Sequence, residues 1–205
     1  MYNAGAMIPA TTLYGDAEAA YTHNLLLSWD IPDNGVAIVI GGYQGATCGM
    51  ILERYPKCKL YTFEPQVSMY KVLKPKSLEL NYKAYNYAIG TQDGTLPMVK
   101  AGSDFCSFVI DGPTNSIGEM REFGSVMKEL GITDIAWMHF NIEKYEYILI
   151  PYLIETGWIK HIKQFVVATH DYHDTTAWTR LYESICKSHT LWWRERQFWA
   201  FIIDK

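Results

Sequence analysis

Two short stretches of the sequence carry residue types that suit the binding of a nucleoside-containing ligand. The segment Gly41-Gly42-Tyr43-Gln44-Gly45 follows one apolar run, and Glu64 follows another. Glycines allow close approach to the backbone and a sharp turn into a helix. A carboxylate at the tip of a second strand can accept hydrogen bonds from the ribose hydroxyls of an adenosine. Each feature also has a structural interpretation: a tight turn for the glycines and a helix cap for Glu64.

The glycine stretch differs from two common nucleotide-binding loops. The dinucleotide fingerprint is Gly-x-Gly-x-x-Gly, and a phosphate-binding loop continues into Gly-Lys-Ser/Thr. Neither pattern occurs between Gly41 and Met50. The glycines therefore indicate a close approach to the backbone but do not name what approaches.

Candidates for acid–base chemistry surround the apolar run of residues 135–140. His139, Asn141 and Glu143 would point to one side of a strand and its exit, because side chains alternate with period two. A histidine has a pKa near neutrality and suits a general base. We interpret His139 as one candidate base, with Asn141 and Glu143 orienting a cofactor or acceptor. A purely structural role for the histidine stays open.

A second set follows the apolar run of residues 165–168. His170 and Asp171 begin the segment His170-Asp171-Tyr172-His173-Asp174. His170 is the alternative candidate base. Asp171, with Asn141, could also contribute to a divalent metal site. We do not favour a metal, because the sequence offers no complete octahedral ligand set.

Composition and charge restrict the class of protein. The 205 residues are 49% hydrophobic and 20% charged, which is typical of a globular domain, and the net charge is −4. That charge argues against a general nucleic-acid surface. No apolar run is long enough for a membrane span, and no signal-peptide pattern is present. The four cysteines form no Cys-x-x-Cys pair, which predicts reduced thiols in a cytoplasmic protein.

The elements that must position these residues alternate between strand and helix. Apolar patterns predict strands over 36–40, 59–63, 82–89, 95–99, 135–140 and 165–168, and a C-terminal hairpin over 190–193 and 198–203. They predict helices over 16–28, 46–54, 66–73, 116–130, 144–155 and 175–187, the last behind an Asp174 cap. The helix over 116–130 would begin with a Ser116-x-x-Glu119 capping box and end at Gly131.

This alternation predicts an α/β fold of the doubly wound, Rossmann-like kind, mostly parallel, with an antiparallel hairpin strand at the C-terminus. We expect a single domain over 1–205, with an N-terminal helical segment over 1–30 and an α/β core over 36–205. In such sheets ligands bind outside the carboxyl ends of the strands, beside the first strand. Gly41 to Gly45 occupies that position.

Four segments together resemble the FkbM-type S-adenosylmethionine-dependent methyltransferases. They are VIGGYQG, YTFEPQ, NYAIGTQDGT and MHFNIEKYEYILI, and their order and spacing match the family from Val36 to His170. The C-terminal aromatic hairpin also fits, because the last strand of the methyltransferase sheet runs antiparallel. Glu143 and Glu146 keep the family's motif, whereas His139, Asn141 and Lys144 stand where the family usually has Lys, Asp and Gly.

The resemblance implies a function and a set of binding residues. It implies O-methylation of a sugar or glycan hydroxyl, with S-adenosylmethionine as cofactor. A fainter similarity to glycan-methylating domains of large algal viruses suggests rhamnose. The implied cofactor residues are Gly41, Gly42 and Gly45 with the neighbouring Tyr43 and Gln44 for the methionine end, Glu64 for the ribose with Pro65 in the turn after it, Tyr87 and Ala88 for the adenine, and Ser107 from the next loop.

Two alternatives stay open. A nucleotide-cofactor oxidoreductase would use the same cleft, although the dinucleotide fingerprint is missing. A methyltransferase-like binding protein without turnover would explain the altered motif around His139 and Asn141.

Overall fold

The computed structural model describes residues 30–101, 105–108, 116–169, 175–195 and 198–204. The predicted helix over 16–28 and the Asp174 cap lie outside the described residues. Along the chain the elements are β1 (Val36–Ile40), α1 (Ala46–Arg54), β2 (Lys59–Phe63), α2 (Val67–Glu79), β3 (Lys83–Tyr85), β4 (Ala88–Gly90), β5 (Gly94–Ala101), β6 (Phe105–Phe108), β7 (Ser116–Glu122), α3 (Phe123–Leu130), β8 (Trp137–Phe140), α4 (Glu146–Glu155), a 3-10 helix (Trp158–His161), β9 (Gln164–Ala168), α5 (Thr175–Ile185), β10 (His189–Glu195) and β11 (Phe198–Ile203).

A seven-stranded sheet forms the centre of the fold, in the order β10-β11-β9-β8-β1-β2-β3. The pairs among β3, β2, β1, β8 and β9 are parallel, and β11 runs antiparallel to both β9 and β10. The predicted α/β fold with a C-terminal antiparallel hairpin is therefore confirmed. β1 is almost entirely buried, as expected of a strand that is covered on both faces.

The main core lies on one face of this sheet. Ile40, Phe140 and Phe165 point to that face and pack in one cluster with Phe123 of α3 and Leu149 of α4. Side chains of successive strand residues alternate between faces, so His139 points away from this cluster. The candidate base of β8 therefore points to the opposite face of the sheet, where the buried Val39 and Val166 are its register partners.

The predicted strand over 82–89 is two strands in two different sheets. β3 extends the central sheet, whereas β4 belongs to a second sheet with the order β4-β7-β5-β6. Asn86 marks the break, where its side-chain Nδ2 donates hydrogen bonds to the carbonyl oxygens of Glu64 and Pro65. The chain leaves the central sheet at this point to begin the smaller one.

The predicted helix over 116–130 is wrong in its first half. Residues Ser116–Glu122 form β7, which pairs with β5 and β4, and the helix begins only at Phe123. Burial alternates along β7: Gly118 and Met120 are buried, whereas Ile117 is 67% exposed. Tertiary pairing with two neighbouring strands therefore overrides a spacing that also suits a helix.

The capping box predicted for this helix is also wrong. Glu122, not Ser116 and Glu119, caps α3, since its carboxylate accepts hydrogen bonds from the backbone N–H groups of Gly124 and Ser125. The predicted end at Gly131 is confirmed, because this residue has the left-handed φ of 67° that a terminating glycine adopts.

None of the helices in the described part of the chain is long and apolar enough to cross a membrane.

Candidate functional site

The first two glycines turn the chain at the carboxyl end of β1. The N–H groups of Gly41 and Gly42 both donate to the carbonyl oxygen of Phe63, at 3.0 and 3.1 Å. Gly41 has a φ of +85°, and a Cβ there would lie 2.0 Å from the carbonyl oxygen of Asn141. A Cβ on Gly42 would lie 2.3 Å from Thr62 Oγ1. The close approach that the glycines indicate is therefore made, in this structure, by the protein's own chain.

Gly45 begins the helix that follows. It has a φ of +88°, its N–H donates to the carbonyl oxygen of Gly42 at 2.9 Å, and a Cβ there would lie 2.9 Å from the hydroxyl of Tyr82. Lys76 Nζ donates to the carbonyl oxygen of Gln44 at 2.9 Å. The loop from Gly41 to Gly45, called the glycine loop below, is thus fixed by β2, α2 and the segment before β3.

Glu64 connects the tip of β2 to the glycine loop. Its side chain is buried, and Oε2 accepts a hydrogen bond from the N–H of Tyr43 at 2.8 Å. Oε1 accepts from the N–H of Gln66, also at 2.8 Å. Burial raises the pKa of Glu64 above its ordinary value, against the two backbone donors, which act to lower it. The Glu64 carboxyl group is therefore fixed at the carboxyl end of β2, beside β1 and the glycine loop.

Pro65, which follows Glu64, and the residues assigned by resemblance to the adenine, Tyr87 and Ala88, are well packed. Pro65 faces Gly118 of β7, where a Cβ would lie 2.9 Å from the proline Cβ. The Tyr87 ring is buried, with its centroid 5.5 Å from that of Phe63. Ala88 is buried as the first residue of β4. Their role toward an adenine stays a prediction.

The polar residues predicted around β8 have different surroundings in the structure. The His139 ring is 5% exposed and lies almost parallel to the Trp137 ring, with centroids 5.9 Å apart. The Asn141 N–H donates to the carbonyl oxygen of Ile40, which continues the pairing of β8 with β1 past the strand end. Among the described residues, the buried Asn141 Oδ1 has no hydrogen-bond partner.

The period-two alternation ends before Glu143. Glu143 and Lys144 have φ values of 53° and 81°, so the backbone turns left-handed there and the strand pattern no longer sets the direction of the Glu143 side chain. Two consecutive non-glycine residues in this region carry backbone strain. Lys144 stands where the FkbM-type motif has glycine, the residue that this φ favours.

Several predicted site residues cannot be placed. His170 and Asp171 lie outside the described residues, and Ser107 belongs to β6 but its side chain lies outside what the structure describes. Within the described ranges, no group of three or more His, Cys, Asp and Glu side chains could hold a metal ion. The buried Thr169 follows β9 at the same edge of the sheet as the glycine loop.

Sequence reasoning missed three residues that build the site. Thr62 supports Gly42, and its Oγ1 also donates to the carbonyl oxygen of Val39 at 3.0 Å. Asn86 fixes the turn after Glu64, and Lys76 holds Gln44. Each acts on partners that are twenty or more positions away in the sequence, so no local pattern could have identified it.

No protein-family model and no curated protein matches the sequence. Solved structures do match. A putative rRNA-methylase from Clostridium thermocellum aligns with a TM-score of 0.55 and 7% identity, over 94% of this chain and 99% of that chain. A precorrin-6y C5,15-methyltransferase from Geobacter metallireducens GS-15 aligns with a TM-score of 0.53 and 9% identity, over 94% of this chain and 90% of that chain. Fibrillarin from Aeropyrum pernix was solved with natively bound S-adenosyl-L-methionine. It aligns with a TM-score of 0.52 and 6% identity, over 84% of this chain and 68% of that chain. The described chain thus has the α/β fold of the Rossmann-like methyltransferases.

Proposed function

We propose that this protein is an S-adenosylmethionine-dependent O-methyltransferase. The observation that carries the proposal is the Glu64 carboxyl group, buried at the tip of β2 and joined through Tyr43 to the glycine loop. In sheets of this topology that position binds the ribose of an adenosine-containing ligand. The fold supports the same proposal, because its solved neighbours carry methyltransferase names.

The residues present fit an adenosyl cofactor. Each Glu64 oxygen accepts one backbone hydrogen bond, and an ionised carboxylate has about four acceptor positions in all. It can therefore accept from ribose hydroxyls without losing Tyr43 or Gln66. Asn141 Oδ1, for which the described residues offer no partner, can accept from an ammonium or hydroxyl group above the glycine loop.

When bound, the cofactor supplies a methyl group that is already activated by a positively charged sulfur. The protein must then hold the acceptor oxygen in line with the methyl group and take up its proton. For that task we favour His170 over His139, because the His139 ring is almost completely buried against Trp137. Asn141, Glu143 and Asp171 would orient the acceptor or the cofactor.

We propose a sugar or glycan hydroxyl as the acceptor, with rhamnose as the first candidate. The support is the resemblance of the β1, β2 and β8 segments to the FkbM-type enzymes. The rRNA-methylase name of one neighbour raises nucleic acid as the competing acceptor. The net charge of −4 counts against it, since phosphate neutralisation requires a basic face.

The cofactor is tested by calorimetric titration with S-adenosylhomocysteine and, separately, with NAD. We expect saturable binding of S-adenosylhomocysteine only. Binding of NAD alone would favour the oxidoreductase alternative. The missing Gly-x-Gly-x-x-Gly fingerprint and the antiparallel C-terminal hairpin of β10 and β11 count against that alternative. Binding of neither ligand would overturn the proposal.

The acceptor is tested by mass spectrometry after incubation with S-adenosylmethionine. Rhamnose-containing glycans and a ribosomal RNA transcript serve as parallel substrates. A gain of one methyl group on the glycan supports the proposal, and a gain on the RNA alone refutes the sugar assignment. Cofactor binding without methylation of either would favour the binding-protein alternative. His170→Asn and His139→Asn then identify the base: we expect a loss of at least a hundredfold in turnover for His170→Asn only.

A further inference from the structure

A stacked arginine and tryptophan lie at the same edge of the sheet as the glycine loop. Strand register runs across the sheet from Ile40 to Phe140, then to Val167 and Trp199, and ends at Arg194 of β10. Ile40 is the residue directly before the glycine loop. Trp199 is two strand spacings from β8, roughly 10 Å, and Arg194 is three, roughly 15 Å. The pair therefore lies on the β10 side of the region where the proposed function holds the acceptor.

The Arg194 guanidinium lies over the Trp199 ring. The Arg194 Cζ lies 4.0 Å from the centroid of the Trp199 ring, and the Arg194 side chain is otherwise exposed. Two rings of α5 also contact Trp199: the Trp178 centroid lies 4.8 Å and the Tyr182 centroid 5.7 Å from that of Trp199. A guanidinium that lies over an aromatic ring keeps N–H donors that can bind an anion, and the Arg194 side chain is exposed to one.

Arg194 differs in its charge balance from the other arginine that stacks on a ring of the core. Arg121 lies over Tyr87 at 5.1 Å, and it is neutralised by Glu129 at 2.6 Å. Arg194 forms no ion pair with any side chain that the structure describes, and the Glu195 side chain lies outside these. An exposed guanidinium that lies over an aromatic ring, with no described carboxylate to neutralise it, suits a planar or tetrahedral oxyanion.

We propose that Arg194 and Trp199 bind a phosphate or carboxylate group of the acceptor, two to three strand spacings from the end of β8. This proposal rests on the proposed function, because it assigns the chemical class of acceptor to that same site. It implies that the methylated molecule is anionic, for example a sugar that carries a phosphate or an acidic substituent. The guanidinium holds this group while the atom to be methylated lies at the end of β8.

The test is an NMR titration of the side-chain Nε–H signal of Arg194 and the indole N–H signal of Trp199. Inorganic phosphate and acetate are added separately, at ionic strength kept constant with sodium chloride. We expect both signals to shift in a saturable manner with one of the anions, and the tighter anion names the group. Absence of a saturable shift with either anion overturns the proposal.

Variants add the specificity control. Arg194→Met should weaken anion binding, read from the Trp199 signal, at least tenfold, and Arg194→Lys should weaken it severalfold because the planar fork is lost. Arg54→Met is the matched control, since the Arg54 guanidinium also lies over a ring, 5.8 Å from Tyr55, and should leave binding unchanged. Equal anion affinity in Arg194→Met and the native protein would refute the proposal.

Calorimetry with S-adenosylhomocysteine separates this inference from the function on which it rests. Arg194→Met should bind S-adenosylhomocysteine within twofold of the native protein. If the native protein binds S-adenosylhomocysteine but neither anion, only the anion site fails. If it binds an anion but no S-adenosylhomocysteine, the proposed methyl transfer fails.

Discussion

For Glu64 the sequence leaves two roles open, and the structure shows which hydrogen bonds its carboxylate makes. The two roles are a ribose acceptor and a helix cap. In the structure the carboxylate accepts from Gln66, the residue before α2, and from Tyr43, so it joins two loops and does not cap the free N–H groups inside the helix. A ligand that binds Glu64 would therefore also contact the glycine loop.

Replacing this carboxylate tests its role directly. Glu64→Gln should reduce the affinity for S-adenosylhomocysteine at least tenfold, because a charge-assisted hydrogen bond contributes about 1.5–3 kcal/mol. Isothermal titration calorimetry at pH 7.5 gives the affinity. Glu79→Gln, an exposed position at the end of α2, is the matched control and should bind as the native protein does. Equal affinity in Glu64→Gln would remove Glu64 from the site.

The raised pKa of Glu64 adds a pH dependence to the same measurement. Burial makes the carboxylate take up a proton at a higher pH than an ordinary glutamate, whose pKa is roughly 4.3. The native protein should therefore lose affinity for S-adenosylhomocysteine as the pH falls, starting above that value. A calorimetric series from pH 8 to pH 5 checks this. The expectation fails if affinity is constant over the range.

At the scale of elements, the junction of β7 and α3 explains why a helical sequence pattern was misleading. Apolar residues recur at helical spacing on both sides of Glu122, but only the C-terminal half forms a helix. Glu122 is both the last residue of β7 and the N-cap of α3. Burial acts to raise its pKa, but hydrogen bonds from Tyr152, Ser125 and Gly124 outweigh burial and hold the pKa below its ordinary value.

Two alanine variants distinguish the observed cap from the one that the sequence predicts. Glu122→Ala should destabilise the fold by about 1–2 kcal/mol, the usual cost of losing a helix cap. Glu119→Ala, at an exposed position of β7, should change stability by less than about 0.5 kcal/mol. Urea denaturation at pH 7 gives both values. A loss of stability in Glu119→Ala greater than that in Glu122→Ala would instead support the capping box of Ser116 and Glu119.

The turn after β8 is a second element at which local strain is visible. Lys144 has a φ of 81°, a region that costs a non-glycine residue roughly 1–2 kcal/mol. Lys144→Gly should therefore be more stable to urea than Lys144→Ala by about 1 kcal/mol, although glycine loses more backbone entropy on folding. The alanine variant is the control, because it removes the same side chain and keeps the Cβ. Equal stability of the two variants would show that the strain is absent.

At the scale of the whole molecule, the C-terminal hairpin is joined to the rest of the sheet through a buried histidine. His189 begins β10, and its Nε2 lies 2.8 Å from the carbonyl oxygen of Ile162, just before β9. Its Nδ1 lies 2.9 Å from Ser188 Oγ. Burial lowers the pKa of His189, more than the Ile162 carbonyl and Asp204 raise it, so the folded protein favours the neutral ring.

This histidine makes stability depend on pH. The unfolded chain takes up a proton near pH 6.5 (roughly the ordinary histidine value), whereas the folded chain does so only at lower pH. The contribution of the neutral His189 to folding stability is therefore complete above about pH 6.5 and is lost as the pH falls below that value. Urea midpoints between pH 8 and pH 5 should fall less in His189→Asn than in the native protein. His161→Asn, at an exposed position in the 3-10 helix, is the control and should keep the native trend.

The sequence alone determined the features that depend on neighbouring residues. The buried run of β1, the turn into α1, the strand before Glu64 and the end of α3 at Gly131 follow from local apolar patterns and from backbone preferences. The order of strands and helices then predicts the α/β class and the edge at which Gly41 to Gly45 and Glu64 meet. These predictions hold because periodicity and glycine conformations act within a few residues.

Only the tertiary structure decided what lies against these features. It assigns the contacts of Gly41 and Gly42 to Asn141 and Thr62, divides the segment over 82–89 between two sheets, and turns residues 116–122 into a strand. It also brings Arg194 onto Trp199, in register with β1 through three intervening strands. Each outcome depends on partners distant in sequence, whose pairing energies local spacing does not record.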